Sequence, residues 1–425
     1  MALPTEIAER ETDAHDSGSE WMVIDAQEEP VPTEKPTPEA VPEPKVGGLD
    51  QDSELDLCFI CDCTGSMGQY IKAAQDNIQS IVGKIGSHGA KVRFGLISYR
   101  DHPPQERTYV TQSHPFTEDV ETMRGYVHTM KAHGGGDGPE AVTAALFEAL
   151  SLPWRPNATK ICVLIADAPP HGLESSGDGF PNGDPEGRDP LQILRDMAVH
   201  GITCYSVGCE PALGAYQFAR DFLCNVAEMT GGQAIALSSA AMLADVIING
   251  SAEELALAKL QRQVEEEVRK VQDEASSKGK DITTEDSVAA AVLNLHSRGM
   301  KSVQMATDGH MQNATKGFWG NVEEKKCLAE VKAELASRFP RSLAAASPIP
   351  TASATAYGGS RPMMARGIRG IPRSAAAPPA PCEAPMSAPV PTPAAASCNV
   401  LKTDLISTEQ VSRIVQKAKC QSRLR

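Results

Sequence analysis

Residues 55–67 read Leu-Asp-Leu-Cys-Phe-Ile-Cys-Asp-Cys-Thr-Gly-Ser-Met and join an apolar run to a group of oxygen-bearing side chains. The apolar run is long enough for one buried β-strand, and the carboxylate of Asp62 lies where that strand would end. Thr64 and Ser66 then add two hydroxyls, and a helical pattern starts at Met67. Because open α/β sheets bind their ligands at the carboxyl ends of their strands, the segment predicts a ligand site at a sheet edge.

Strand and helix patterns alternate from residue 53 to about residue 250, which indicates a parallel sheet wrapped by helices. We therefore predict a Rossmann-like, doubly wound, mostly parallel sheet with helices on both faces. The predicted strands cover residues 55–62, 92–100, 108–111, 160–167, 202–209 and 233–237. The predicted helices cover about residues 67–85, 118–131, 140–151, 190–200, 212–229 and 240–246.

Composition divides the rest of the chain. Residues 1–50 are acidic and rich in proline, which predicts a disordered tail ahead of the α/β domain at residues 53–250. Residues 251–339 should form accessory helices at about residues 253–274, 286–295 and 322–339. The first of these is a charged, candidate coiled-coil helix that would pack back on the α/β domain or pair with a partner. An Ala/Pro/Ser-rich composition predicts a disordered linker over residues 340–400. Residues 401–425 then predict a short amphipathic helix, which begins with the capping-box pattern Ser-Thr-Glu-Gln.

Charge, hydropathy and cysteine content argue against several classes of protein. The net charge of −15 makes a general nucleic-acid-binding surface unexpected. The first residues lack the basic and apolar parts of a secretory signal, and no run of about 18 apolar residues predicts a membrane span. The 11 cysteines are an odd number, so we expect reduced thiols and a cytoplasmic location.

Three strand-to-helix turns carry oxygen-rich side chains, and a parallel sheet could place all three at one edge. Their candidate metal ligands are Asp62, Thr64 and Ser66 in the first turn, Asp137 and Glu140 in the second, and Asp167 in the third. Carboxylates and hydroxyls suit a hard cation. The sequence therefore predicts a Mg²⁺ site, with Mn²⁺ or Ca²⁺ as alternatives.

The first turn resembles that of the von Willebrand factor A domain, whose metal-ion-dependent adhesion site begins with the motif D-x-S-x-S. Here the motif reads Asp62-x-Thr64-x-Ser66, so threonine replaces the first serine and keeps its hydroxyl. The resemblance covers about residues 53–248 and implies the Rossmann-like fold. The family's third-turn aspartate corresponds to Asp167.

The second turn is similar to the D-x-P-E turn of integrin β-type A domains, since residues 137–140 read Asp-Gly-Pro-Glu. The resemblance implies Glu140 as the second-turn ligand and Asp137 as an auxiliary one, and it leaves open which of the two contacts the ion. The stretches DLCFICDCTGSM, GGGDGPEA and LIADAPPHG most resemble A domains of α-kinase-associated proteins. No α-kinase catalytic domain follows, so kinase activity is not expected.

The function implied by the resemblance is protein binding rather than catalysis. An Asp or Glu of a partner protein would fill one open coordination position of the ion. Thr64 and Ser66 are neutral ligands, so the ion would keep positive charge for that carboxylate. We therefore predict a non-enzymatic adaptor or scaffold with a metal-dependent protein partner.

An enzymatic alternative remains for Asp62, because residues 62–66 also resemble the D-x-T-G-T nucleophile loop of phosphoaspartate-forming phosphotransfer enzymes. Those enzymes need a positioned lysine, which the sequence does not locate. Their nucleophile loop also leads into a flap, whereas a helical pattern begins here at Met67.

A long loop over residues 171–189 contains several acidic residues among glycines and prolines. Its acidic residues are Asp178, Asp184, Glu186 and Asp189. We expect an irregular, solvated excursion, with a second cation site, for example for Ca²⁺, as the alternative.

Overall fold

A six-stranded sheet lies at the centre of this computed structural model, which describes residues 53–86, 91–173, 177–307, 309–320, 324, 326–339 and 400–422. Its strands are β1 (Glu54–Asp62), β2 (Lys91–Tyr99), β3 (Thr111–Thr117), β4 (Thr159–Ala166), β5 (Ile202–Cys209) and β6 (Ala234–Leu237). The spatial order is β3-β2-β1-β4-β5-β6, and every neighbouring pair is parallel except β2 with β3. The predicted mostly parallel, doubly wound sheet is confirmed.

Helices cover both faces of this sheet. They are α1 (Gly68–Gly86), α2 (Val120–Thr129), α3 (Val142–Leu150), α4 (Pro190–Val199), α5 (Ala219–Thr230), α6 (Leu243–Ser277), α7 (Thr284–Ser297), α8 (Lys316–Trp319), α9 (Leu328–Arg338) and α10 (Thr408–Gln421). Apolar side chains of α1, α2 and α6 share one core with Leu55 and Leu57 of β1. Those of α3, α4 and α5 share the other core with Cys58 and Ile60. The continuous apolar run of β1 therefore reflects a strand that is buried on both faces.

The central position of β1 determines where the candidate ligands lie. It pairs with β2 on one side, where Asp62 is in register with Tyr99, and with β4 on the other, where Cys61 is in register with Ile165. All three strands run in the same direction, so the residues that follow them meet at one edge of the sheet.

Between residues 100 and 230, two predicted elements differ from the observed ones. The strand predicted at residues 108–111 is a loop, because the Glu106 side chain accepts from the backbone N–H groups of Arg107 (2.7 Å) and Thr108 (2.8 Å). The observed edge strand β3 starts at Thr111 and is mostly polar, with a proline that an edge strand tolerates. The helix predicted at residues 212–229 is divided into a 3-10 turn at Ala212–Ala215 and helix α5.

Helix α6 continues through the point where the sequence predicted a domain boundary. The helices predicted over residues 240–246 and 253–274 are parts of this one helix, apart from a 3-10 turn at Ala240–Met242. A Cβ added to Gly250 would lie 3.0 Å from a ring carbon of Tyr205. Glycine therefore allows the helix to pack closely against β5 instead of ending it.

The region predicted to contain only accessory helices also contains a strand, β7 (Lys301–Ala306), which pairs antiparallel with β8 (Val400–Leu405). This pairing joins segments roughly 100 residues apart, so no local pattern reveals it. In the described part of the range 322–339, which was predicted to be helical, the observed helix is α9, and residues 326 and 327 lie outside it. It starts where the Glu330 carboxylate accepts from the amide of Cys327 (3.0 Å).

Helix α10 packs with α7 and the second half of α6 around a smaller core. Its predicted capping box is confirmed, since the Ser407 hydroxyl accepts from the amide of Gln410 (3.1 Å) and the Gln410 side chain accepts from that of Ser407 (3.3 Å). The predicted tail at residues 1–50 lies outside the described residues. So does the predicted linker at residues 340–400, apart from Val400.

A buried charged network fixes α10 to the rest of the fold. The Arg413 guanidinium donates to the Tyr205 hydroxyl (2.8 Å) and to Glu254 (2.9 Å), and it lies 3.4 Å from a carboxylate oxygen of Glu253. Lys417 pairs with the other oxygen of Glu254. Residues 400–422 are therefore integrated into the fold through specific buried contacts.

Candidate metal centre

The first turn positions Asp62 through its own backbone. The Asp62 carboxylate is fully buried, and its Oδ1 accepts from the amide (2.8 Å) and the hydroxyl (2.7 Å) of Thr64. Its Oδ2 is buried and has no hydrogen-bond partner. The hydroxyls of Thr64 and Ser66 are 3.4 Å apart, and Ser66 is exposed. The turn therefore presents one free carboxylate oxygen and two neutral oxygens close to solvent.

The second turn brings Glu140 against the first. The amide of Gly65 donates to the carbonyl of Gly134 (3.2 Å), which holds the two turns together. Gly135 has a φ of 77°, and a Cβ there would lie 2.8 Å from Glu140 Oε1 and 3.3 Å from the Thr64 side chain. Only glycine fits this gap between the two turns. Glu140 is 4% exposed, and its Oε2 has no hydrogen-bond partner.

The third turn adds Asp167 directly after β4. Its side chain is 3% exposed and receives a hydrogen bond from the Ser66 hydroxyl. The amide of Glu140 donates to the carbonyl of Pro169 (3.0 Å), so the third turn is also tied to the second. We name the resulting group the strand-end cluster, which consists of Asp62, Thr64, Ser66, Glu140 and Asp167.

The carboxylates of the strand-end cluster repel one another. Burial raises the pKa of Asp62, and the charge of Asp167 raises it further. Burial and the neighbouring carboxylates, Asp62 first among them, also raise the pKa of Glu140 well above its usual range. Burial raises the pKa of Asp167 despite its bond from Ser66. Such crowding of negative charge fits a cation with oxygen ligands, which would favour the ionised forms.

Asp137, three residues before Glu140, lies in a different place. One of its oxygens accepts from the amide of Gly179, and the other is buried without a partner. It forms a group with Asp101 and His171, in which one ligand atom of each lies within 4.8 Å of the others. Burial first, and then Asp101, raise the pKa of Asp137 to about 6. The two carboxylates of the D-x-P-E turn thus occupy adjacent but separate surroundings.

Sequence reasoning missed Asp101 and His171. Asp62 is the last residue of β1 and Asp101 lies two residues after the end of β2, so the rule of strand-end carboxylates could have found Asp101. His171 lies between two carboxylates, with Nε2 at 2.6 Å from Asp101 and Nδ1 at 2.8 Å from Asp178. The described residues of the 171–189 loop are irregular, as expected, and Pro181, Pro185 and Glu186 are exposed, but His171 and Asp184 are buried, so the loop is solvated only in part. The acidic side chains of this loop bind His171, Arg188 and the start of α4.

We expect His171→Gln to cost the chelator-treated protein about 2–3 kcal/mol of unfolding free energy near pH 6. Burial alone would lower the pKa of His171, but Asp101 and Asp178 outweigh it and raise the pKa to about 9. The stabilisation from the pairing of His171 is therefore complete at pH values below about 6.5, the pKa of histidine in the unfolded chain. It disappears as the pH rises through about 9, the pKa of His171 in the folded protein. Urea unfolding of both proteins near pH 6 and about pH 9.5 measures it. If the loss of unfolding free energy in His171→Gln is as large at pH 9.5 as at pH 6, His171 is not stabilised as a protonated imidazolium paired with Asp101 and Asp178.

Residues 56–176 match the family model of the von Willebrand factor A domain. The chain contains a von Willebrand factor A domain. Strands β2, β3 and β4 and the three strand-end turns lie within the matched residues, in agreement with the resemblance of the three motifs. None of the described helices is long and apolar enough to cross a membrane.

Two curated relatives share this part of the chain. The alpha-protein kinase vwkA of Dictyostelium discoideum is 36% identical over 155 residues, which cover 36% of this chain and 24% of the relative. A putative ariadne-like RING finger protein of Acanthamoeba polyphaga mimivirus is 27% identical over 198 residues, which cover 45% of this chain and 19% of that protein. The chain therefore spans less than a quarter of the length of either relative.

Among solved structures, a von Willebrand factor type A protein from Catenulispora acidiphila aligns with 48% of this chain and 43% of its own. The TM-score is 0.35, and the sequence identity is 16%.

Proposed function

We propose that the A domain is a metal-dependent protein-binding module and that the protein is an adaptor or scaffold rather than an enzyme. The observation that carries this proposal is the strand-end cluster, where three buried carboxylates meet. None of the three forms an ion pair with a basic side chain among the described residues.

The donor set of the strand-end cluster fits a hard divalent cation. Asp62 Oδ2 and Glu140 Oε2 are buried oxygens without partners, and Ser66 and Thr64 add hydroxyl oxygens. Carboxylate and hydroxyl oxygens are ligands that Mg²⁺ accepts, with Mn²⁺ and Ca²⁺ as substitutes. Glu140 is the second-turn ligand in this proposal. Asp137 would act only as an auxiliary group, because its surroundings are different.

When bound, the ion would supply an electrophilic position for one Asp or Glu side chain of a partner protein. Thr64 holds Asp62 Oδ1 with two hydrogen bonds, which leaves Oδ2 free for the ion. Gly65 and Ser66 are exposed, so a partner can approach the cluster from their side. The neutral hydroxyls add no negative charge that would repel an incoming carboxylate.

The phosphotransfer alternative has less support. A phosphoaspartate enzyme needs a basic group beside the nucleophile, and no lysine pairs with Asp62 in the described part of the chain. Helix α1 follows the first turn almost directly, which leaves no room for a flap.

The proposal is tested by capturing partners with the full chain in Mg²⁺, in chelator, and in chelator followed by excess Mg²⁺. We expect a partner that is lost with chelator and recovered with Mg²⁺, because the ion carries the contact. Replacing the contacting Asp or Glu of that partner with its amide should remove binding. Partners that bind equally in chelator, or that tolerate every acid-to-amide replacement, would contradict the proposal.

We propose a cytoplasmic location from the state of the cysteines. No disulfide bond joins the nine cysteines in the described residues, and eight of them are buried. Free thiols are typical of proteins in reducing compartments.

A further inference from the structure

A groove of about 850 Å³ lies between helices α5, α7, α8 and α10, and none of its lining residues belongs to the strand-end cluster. Met229 of α5, Val288 of α7 and Val415 of α10 supply apolar side chains to its floor. A Cβ added to Gly317 of α8 would meet no other atom within 4 Å, so the groove is open on that side. We name it the α10 groove. Its volume is in the usual range of ligand-binding sites.

The rim of the α10 groove is acidic. Its glutamates are Glu228, Glu285, Glu324 and Glu409. Glu285 and Glu409 are exposed, and neither forms an ion pair with a basic side chain in the residues that the structure describes. Lys316 lies 3.5 Å from the first of the four glutamates, and Lys419 donates to a threonine hydroxyl. Arg413 is buried against carboxylates of α6, so two glutamates at the rim are left to attract a basic ligand.

The linker predicted at residues 340–400 is attached at both ends to elements that form this groove. Phe339, directly before the linker, packs its ring against that of Phe318 in α8, with centroids 5.7 Å apart. Val400 begins β8, which leads directly into α10. A segment in the middle of the linker is therefore tethered to the groove from both sides.

One segment of the linker departs from its Ala/Pro/Ser composition. Residues 361–373 read Arg-Pro-Met-Met-Ala-Arg-Gly-Ile-Arg-Gly-Ile-Pro-Arg, so four arginines are interspersed with two methionines and two isoleucines. At least 20 residues separate this segment from each end of the linker. About 20 extended residues span up to about 70 Å, so the tethers are long enough for the segment to reach the groove.

We propose that residues 361–373 dock in the α10 groove, with arginines beside Glu285 and Glu409. The methionine and isoleucine side chains would lie over the apolar floor, where flexible methionines fill irregular spaces. Attachment to the same chain raises the local concentration of the segment, so contacts that are weak between separate molecules suffice. Docking would divide the linker into two shorter loops and hold it against α10. This surface is independent of the metal-dependent binding proposed above.

Two rival partners of the segment make different predictions. If the acidic residues 1–50 bind its arginines instead, the glutamates of the α10 groove have no effect. If the segment docks in the groove of a second copy of the chain, docking increases with protein concentration.

Limited digestion of the full chain with trypsin tests the proposal, because trypsin cleaves after arginine and lysine. We expect the bonds after Arg366, Arg369 and Arg373 to be cleaved at least about 10-fold more slowly than in a synthetic peptide of residues 355–380, because the docked segment gains the local concentration of an attached ligand. Ala354→Lys adds a reference site to the linker outside the segment, and cleavage there should show no such protection.

The pair Glu285→Gln and Glu409→Gln should speed cleavage of the segment by roughly 5-fold, because it removes two exposed charge contacts. Glutamine keeps the length of each side chain, and circular dichroism checks the fold. The matched control is Glu266→Gln with Asp273→Asn, which removes the same charge from exposed positions of α6 outside the groove. It should leave the protection unchanged.

A second variant changes only the linker, so it keeps the proposal testable if the glutamine pair does not fold. Arg361→Gln with Arg373→Gln retains the trypsin sites at Arg366 and Arg369, and it should also lose most of the protection. Cleavage of the wild-type segment at the rate of the free peptide would overturn the proposal. Protection that survives the loss of both glutamates or of both outer arginines, or that rises with protein concentration, would overturn it as well.

Discussion

Asp62→Ala is expected to lower the affinity of the strand-end cluster for Mg²⁺ at least 100-fold and to remove chelator-sensitive partner capture with it. The substitution deletes the free Oδ2 that faces the cluster, and even outer-shell changes cost about 10–100-fold in metal affinity. The fold should remain, because Asp62 is a buried carboxylate whose burial raises its pKa, and its bonds are only to Thr64. Calorimetric titration with Mg²⁺ and circular dichroism measure the two effects.

The matched control for this prediction is Asp76→Ala on helix α1. Asp76 is an exposed partner of Lys72, so its loss should leave Mg²⁺ affinity and partner capture unchanged. Ser66→Ala should have an intermediate effect, since it removes one hydroxyl and also the hydrogen bond to Asp167. Mg²⁺ binding to Asp62→Ala with the affinity of the wild type would show that the ligands are misassigned.

Arg413→Met is expected to destabilise the protein by about 3–5 kcal/mol, which is the usual cost of leaving buried charges without their partner. Arg413 contacts Glu253, Glu254 and the hydroxyl of Tyr205, all of which are buried. Glu254 would retain Lys417, but Glu253 would keep only neutral hydrogen-bond donors. Urea denaturation monitored by circular dichroism gives the difference in unfolding free energy.

The control for the Arg413 prediction is Lys419→Ala on the same helix. Lys419 is exposed and donates only to the hydroxyl of Thr284, so its loss should cost less than about 0.5 kcal/mol. A variant that combines Arg413→Met with Glu253→Gln should recover part of the loss, because the uncompensated charge is then gone. A loss below about 1 kcal/mol in Arg413→Met alone would mean that α10 is held by its apolar contacts.

The sheet and the three turns were predictable because local patterns specify them. The run from Leu57 to Cys61 is apolar at every position, which is typical of a strand that is buried on both faces. Glycines at positions 134 and 135 likewise marked a turn with unusual backbone geometry. These features depend on near neighbours in the chain, so the sequence alone carries them.

The features that the sequence did not predict depend on contacts between distant residues. A glycine such as Gly250 often marks the end of a helix. Here it lies inside helix α6, where it leaves room for the ring of Tyr205. Strand β7 forms by pairing with β8, which lies far from it in the chain. The surroundings of Asp137 differ from those of Glu140 because Gly179 and Asp101, from other loops, lie next to Asp137. The pattern of residues along the chain does not show which distant residues are in contact in the fold.

The pairing of β7 with β8 also sets the order in which the protein can fold during synthesis. Every strand of the six-stranded sheet has been translated by residue 237, so the A domain can close while later residues are still being added. Strand β7 must then wait for its partner until roughly 100 more residues have left the ribosome. Residues 301–306 therefore acquire their strand pairing only after residues 400–405 have been made, so this small sheet forms after the six-stranded one.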